Sequence, residues 1–213
     1  MQGLIGKKVG MTQIYDDKGN RLAVTVVQAG PCVVVQRKTQ AADGYNAVQV
    51  GFGEQKEHRV SRPALGHFKK AGTTPRRVLQ EFPLDEGEEL KAGDVVSVGM
   101  FDKSEYVHIT GVSKGRGFQG VMKRHGMGGG PAAHGHTSHR RIGAIGQRAK
   151  PGKINKGHRM PGHMGNVQVT TRNLRVAGIR VEDGVLLIRG AIPGPAGATV
   201  VIRKANKKAG KAA

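Results

Sequence analysis

Three histidines at His134-x-His136-x-x-His139, with His125, His158 and His163 close by, have the spacing of a metal-ligand cluster. Zinc sites also draw on Cys or carboxylate ligands, and ligating imidazoles lean on carboxylates behind them. The stretch around these histidines contains no Cys, Asp or Glu. Stacking on bases and hydrogen bonding to phosphate or ribose need no such partners, and they account better for the rings. Ser138 beside His139 lacks an acid to orient the imidazole, so no nucleophile is assembled. Glu88 and Glu89 are adjacent carboxylates in an acidic surface run rather than a facing acid–base pair. Gly115-Arg-Gly-Phe-Gln-Gly120 matches GxGxxG, but the dinucleotide reading needs an acid about 20 residues on to hold the ribose. The next acid is Glu182. We therefore expect no enzyme activity, no cofactor, no small-molecule substrate and no metal.

Charge is the stronger signal. The 76 residues between Glu105 and Glu182 contain 14 Lys and Arg and no acid. Residues 1–105 carry 15 basic and 13 acidic groups, so most of the formal net charge of +20 comes from this one segment. Crowded like charges repel in a compact state, which calls for a partner that supplies the missing negative charge. A polyphosphate meets that need, and RNA or DNA is the commonest. Eight aromatics and no Trp argue against a single-strand stacking platform and favour folded RNA read through shape and phosphates. The cations expected to neutralise phosphate are Lys114, Arg116, Lys123, Arg124, Arg140, Arg141, Arg148, Lys150, Lys153, Lys156 and Arg159, with His125, His134 and His139 beside them. Lys7, Lys8, Arg37 and Lys38 form a second, N-terminal set. A metal-dependent nucleic-acid enzyme built on His134, His136 and His139 stays open as an alternative, as does a free DNA-compacting protein.

These residues must be held by a mainly β frame. Leu22–Gln28 and Cys32–Arg37 are β-branched runs split by the turn Gly30-Pro31, and Asn46–Phe52 follows the turn Asp43-Gly44. Asp16–Asn20 reads as a turn between strands. Over 56–92 the pattern becomes partly helical, with short helices at Leu65–Lys70 and Pro75–Phe82, the second starting on Pro75. Strands resume at Asp94–Met100 and Tyr106–Val112. Ser113–Gly165 has 14 glycines in 53 residues and cannot enclose a core of its own; only Phe118–Arg124 looks briefly helical. Val167–Val181, Val185–Arg189 and Ala198–Arg203 return to strand, and 204–213 is a basic tail. The expected organisation is thus a barrel formed by 1–112 and 166–203, with 113–165 inserted as a long basic loop. Long loops inside compact domains are usually functional. No run of 18 apolar residues predicts a membrane helix. The N-terminus lacks a secretory apolar region, and the single Cys32 sits in an apolar run, so a buried free thiol and a cytosolic setting are expected.

The order of motifs resembles one family. Gly3–Thr12, Ala29–Pro31, Gln36–Thr39, Gly44-Tyr45, Gly66–Phe68, Gly111–Gly120, Lys123–Gly126, Gly129–Pro131, His134-Gly135, Ser138–Arg140, Pro151–Lys153, Met160–Gly165 and Leu187–Gly194 are similar to the bacterial large-subunit ribosomal protein L3 family over nearly the whole chain. The resemblance implies a barrel of the type shared with translation factors and a structural place in the cytoplasmic ribosome. It also implies early binding to large-subunit rRNA, contact with neighbouring ribosomal proteins, and a loop whose tip approaches the peptidyl-transferase region. The family's tip reads Pro-Gly-Ser-Ile-Gly-Gln, and this chain has Ile142-Gly-Ala-Ile-Gly-Gln147, departing at Ile142 and Ala144. In some relatives the glutamine matching Gln147 is methylated on its amide.

Overall fold

The computed structural model describes residues 1–85, 87–103 and 105–205. The chain divides into two units, Met1–Val112 with the residues from Gln168 on, and Ser113–Val167. Among the described residues the strands, in chain order, are β1 (Gly3–Tyr15), β2 (Arg21–Ala29), β3 (Cys32–Lys38), β4 (Ala47–Glu54), β5 (Arg76–Pro83) and β6 (Val95–Val96), then β7 (Tyr106–Val112), β8 (Gly117–Gln119), β9 (Gly162–Met164), β10 (Gln168–Arg180), β11 (Val185–Arg189) and β12 (Thr199–Lys204). The helices are α1 (Gln40–Asp43), α2 (Arg62–Lys70) and α3 (Val121–His125).

The first unit is a closed antiparallel barrel in the order β1-β12-β7-β10-β11-β2, with a four-stranded sheet in the order β5-β4-β3-β6. Alternation drives the closure: a strand sends successive side chains to opposite faces. On β7 Val107 and Ile109 are fully buried, while the alternating His108 and Thr110 are not. On β12 Val200 and Ile202 do the same. These aliphatics join Leu4, Ile5, Val27, Leu186 and Ile188 in one core, which runs on into Val34, Val48, Val50 and Phe82 of the second sheet. Close approach is built in at Gly3, where a Cβ would overlap the Ile202 carbonyl and the Phe82 ring. Thr25 and Cys32 bring polar groups into this interior with their needs met. Thr25 donates its hydroxyl to the Gly190 carbonyl at 2.6 Å. The buried Cys32 thiol donates to the Ile5 carbonyl at 3.4 Å, and burial pushes its pKa up to about 11, as expected of a small core residue.

Several expected elements come out differently. The segment Pro75–Phe82 forms strand β5 from Arg76 on rather than helix, because the free edge of β4 offers a ladder from Ala47↔Pro83 to Glu54↔Arg76 and Phe82 turns into the core. Asp94–Met100 yields only the two-residue β6, followed by a tight 3-10 turn at Val98–Met100 that buries Val98. In Phe118–Arg124 the first residues pair as β8, and helix begins at Val121. Lys204, read as tail, ends β12, and Ala205 donates its N–H to the Tyr106 carbonyl at 2.9 Å. Residues 206–213, the rest of the expected tail, lie outside the described residues. Among the described residues, no helix is long and apolar enough to cross a membrane.

Candidate nucleic-acid interface

The insertion's two ends are zipped together. Ser113 donates its N–H to the Val167 carbonyl at 2.9 Å and accepts the Val167 N–H on its hydroxyl at 3.3 Å. Arg116 donates its N–H to Met164, and β8 pairs with β9 from Gly117↔Met164 to Gln119↔Gly162. Gly165 sits at φ +76°, where a Cβ would collide with the Lys114 carbonyl, so only glycine fits this stem. Past the stem, α3 stops at Gly126 (φ +69°), whose N–H caps Met122. The Arg124 guanidinium donates to the Met160 carbonyl at 2.6 Å, and His125 Nε2–H donates to the same oxygen at 3.0 Å. Both side chains are half-buried. They brace the path of the loop instead of standing out from it.

Val121 is the insertion's only buried residue, and apart from Arg124 its Lys and Arg side chains lie on the surface. Lys114, Arg116, Lys123, Arg140, Arg141, Arg148, Lys150, Lys153, Lys156 and Arg159 are all exposed. The ion pairs among the described residues all lie outside the insertion, which has no carboxylate to form one. Ten uncompensated cations on a glycine-rich scaffold can do one chemical job well: neutralise phosphates while the backbone passes close to them. Gln147, in the tip segment, is exposed as well.

The histidines are placed as structural and surface groups. His134 is exposed with φ +60°, in the left-handed region that the following Gly135 also occupies. His139 donates Nδ1–H to the Pro131 carbonyl at 2.8 Å, His136 Nδ1 accepts the Ser138 N–H at 3.2 Å, and the two ring centres are 6.3 Å apart. Those bonds occupy the Nδ1 position of both rings. Among the described residues no group of three or more His, Cys, Asp or Glu is placed to hold a metal ion, and the metal-enzyme alternative gains no support.

The N-terminal set is not one surface. Lys7 and Arg37 are exposed. Lys8 is buried and donates Nζ to the Ile192 carbonyl at 3.0 Å and to Gly194 at 2.9 Å, so it belongs to the barrel and not to an RNA-facing patch. Lys38 is engaged by Glu81 at 2.9 Å and by the Tyr45 hydroxyl at 2.6 Å. Its hydrogen bonds to Tyr45 and Glu81 raise its pKa, and the same ammonium holds the Glu81 carboxyl below the usual range.

Two groups escaped the sequence reading. Arg172, Arg175 and Arg180 lie exposed on β10; they fall inside the acid-free run and could have been assigned from it. Phe118 is 76 % exposed on β8, a flat apolar ring among cations. A lone aromatic in a glycine-rich segment was its signal.

A sequence model described as Ribosomal protein L3 matches residues 84–185. The protein named "Large ribosomal subunit protein uL3" from Alkaliphilus metalliredigens is 49 % identical over 208 residues, covering 98 % of this chain and 99 % of its own length. Its namesake from Corynebacterium jeikeium is 49 % identical over 97 % of this chain and 95 % of its own, and that from Thermotoga maritima 49 % identical over 97 % and 98 %. With half the residues identical across almost the full length, and with the barrel and its acid-free insertion in place, the chain belongs to the uL3 family of ribosomal proteins.

Proposed function

We propose that this protein binds and organises large-subunit rRNA early in ribosome assembly, its barrel serving as anchor and its insertion as the part that enters the RNA. Family membership makes it a structural constituent of the ribosome, cytoplasmic in bacteria. The observation that carries the finer reading is the insertion's ten exposed cations with no internal counter-charge. Neighbouring ribosomal proteins complete its surroundings, and the tip Ile142–Gln147 reaches toward the peptidyl-transferase region. Gln147 is exposed there, accessible to amide methylation. The protein supplies packing and charge, and no catalytic group.

Cosedimentation with assembled large subunits after a high-salt wash tests this reading. Retention is expected, because a chain threaded into folded RNA is held by shape as well as by screened charge. Release at the wash, or equal displacement from rRNA by duplex DNA and by rRNA itself, would point to loose polyanion binding and to the free DNA-compacting alternative.

A further inference from the structure

We propose that a cleft in the first unit, separate from the insertion, holds one unpaired nucleotide of the bound RNA. The cleft measures about 480 Å³ and lies between the barrel, through Lys7 of β1, and the second sheet, through Phe52, Arg76 and Arg77 of β4 and β5. That volume falls within the range of small-ligand sites. Three cations, Lys7, Arg76 and Arg77, line it against one carboxylate, Glu54. Lys7 and Arg77 make no ion pair among the described residues. Among the described residues Arg76 pairs with Glu54 alone, at 3.5 Å, and its Nε is buried without a hydrogen-bond partner. Glu54 itself is 80 % exposed, so water screens the one carboxylate present.

The walls supply the second half of the recognition. Phe52 and Pro31 line the cleft as rigid apolar surfaces. Of five phenylalanines, Phe68, Phe82 and Phe101 are buried; Phe52 is instead left partly open, at this site. Gly51 lets the Arg76 stem lie flat on the sheet, since a Cβ there would stand 2.6 Å from Arg76 Cγ. The Arg76 side chain is thus held against the sheet, 14 % exposed, rather than free in solvent. A flat wall with cations at its rim suits a base stacked on Phe52 and a phosphate between Lys7 and Arg77. An acidic peptide would use the cations and leave the ring without a partner.

This inference rests on the rRNA-binding reading, and the experiment separates the two. Full-length protein bound to large-subunit rRNA is irradiated, and the peptides carrying cross-linked nucleotide are mapped. A nucleotide on the Phe52 or Lys7 peptide is expected. Phe52→Leu, which keeps an aliphatic group toward the core, should weaken binding by about 5- to 100-fold through lost stacking. Lys7→Gln with Arg77→Gln should lower the slope of log K against log salt by about 1.4–1.8. Cross-links confined to 113–167 together with an unchanged slope would overturn the cleft and leave rRNA binding by the insertion intact. A cross-link from this cleft to another protein in assembled subunits would assign it to a protein partner and overturn the nucleotide. No measurable affinity of the unaltered protein for rRNA would overturn both readings.

Discussion

A strand alternates its side chains between two faces, and on β1 this rule separates two adjacent lysines. Lys7 faces solvent, while Lys8 turns inward and satisfies two carbonyls of the segment between β11 and β12. Replacing Lys8 with Met strands those carbonyls, so urea unfolding should show a loss of about 2–3 kcal/mol, with the salt slope of rRNA binding unchanged. Lys7→Met should do the reverse: stability holds and the slope falls by about 0.7–0.9. Matching effects of the two substitutions would contradict the assignment. The carboxyl of Glu81 gives a pH handle. Its pKa is lowered by Lys38 first and Tyr45 next. A carboxyl held down by the fold adds stability above its unfolded pKa of roughly 4.3 and loses it as pH falls through the folded value. Between about pH 5 and pH 3 the melting temperature should therefore fall further in the unaltered protein than in Glu81→Gln. Parallel curves would mean that the Lys38–Tyr45–Glu81 contact adds nothing.

Elements show where local preference yields to neighbours. Arg, Leu, Gln and Glu are good helix formers, and Pro75 suits a helix start, so 75–82 reads as helix. The exposed edge of β4 decides otherwise, since a full ladder plus burial of Phe82 outweighs a propensity difference below about 1 kcal/mol per residue. The insertion is the opposite case: its stem is paired and braced, but its cations are left outward. Replacing Arg140, Arg141, Arg148 and Lys150 with Gln should reduce the salt slope by about 3 if all four touch phosphate. An unchanged slope would show that they face solvent in the complex. At the tip, Gln147→Ala should leave assembled subunits able to form peptide bonds, with defects confined to assembly or to sensitivity to drugs bound nearby. Normally assembled mutant subunits without peptide-bond formation would make Gln147 catalytic.

For the whole molecule, the contrast between the two units is one of how each is stabilised. The barrel and its sheet share an aliphatic core, whereas the insertion buries Val121 alone and carries no acid. If RNA supplies the missing negative charge, the insertion's order should depend on bound RNA. Limited proteolysis should cut Ser113–Gly165 in free protein and spare it in ribosomes. Equal protection in both states would show that the stem contacts and the bracing by Arg124 and His125 suffice by themselves.

The uncompensated charge of the insertion was legible in the sequence because it depends on sums: a missing acid is missing in every fold, and glycine excess forbids a core whatever the topology. The barrel strands were legible too, since runs such as Leu22–Gln28 and Val185–Arg189 have few other ways to hide β-branched side chains. Placement was decided only by tertiary structure. Lys7 and Lys8, or Lys123 and Arg124, are alike in charge, and only strand register and the Met160 carbonyl separate the inward member from the outward one. The cleft at Lys7, Phe52 and Arg77 was equally hidden, because it joins residues about 70 positions apart through the pairing of β4 with β5 and the closure of the barrel. Charge and periodicity are properties of the chain; a contact is a property of the two segments that meet.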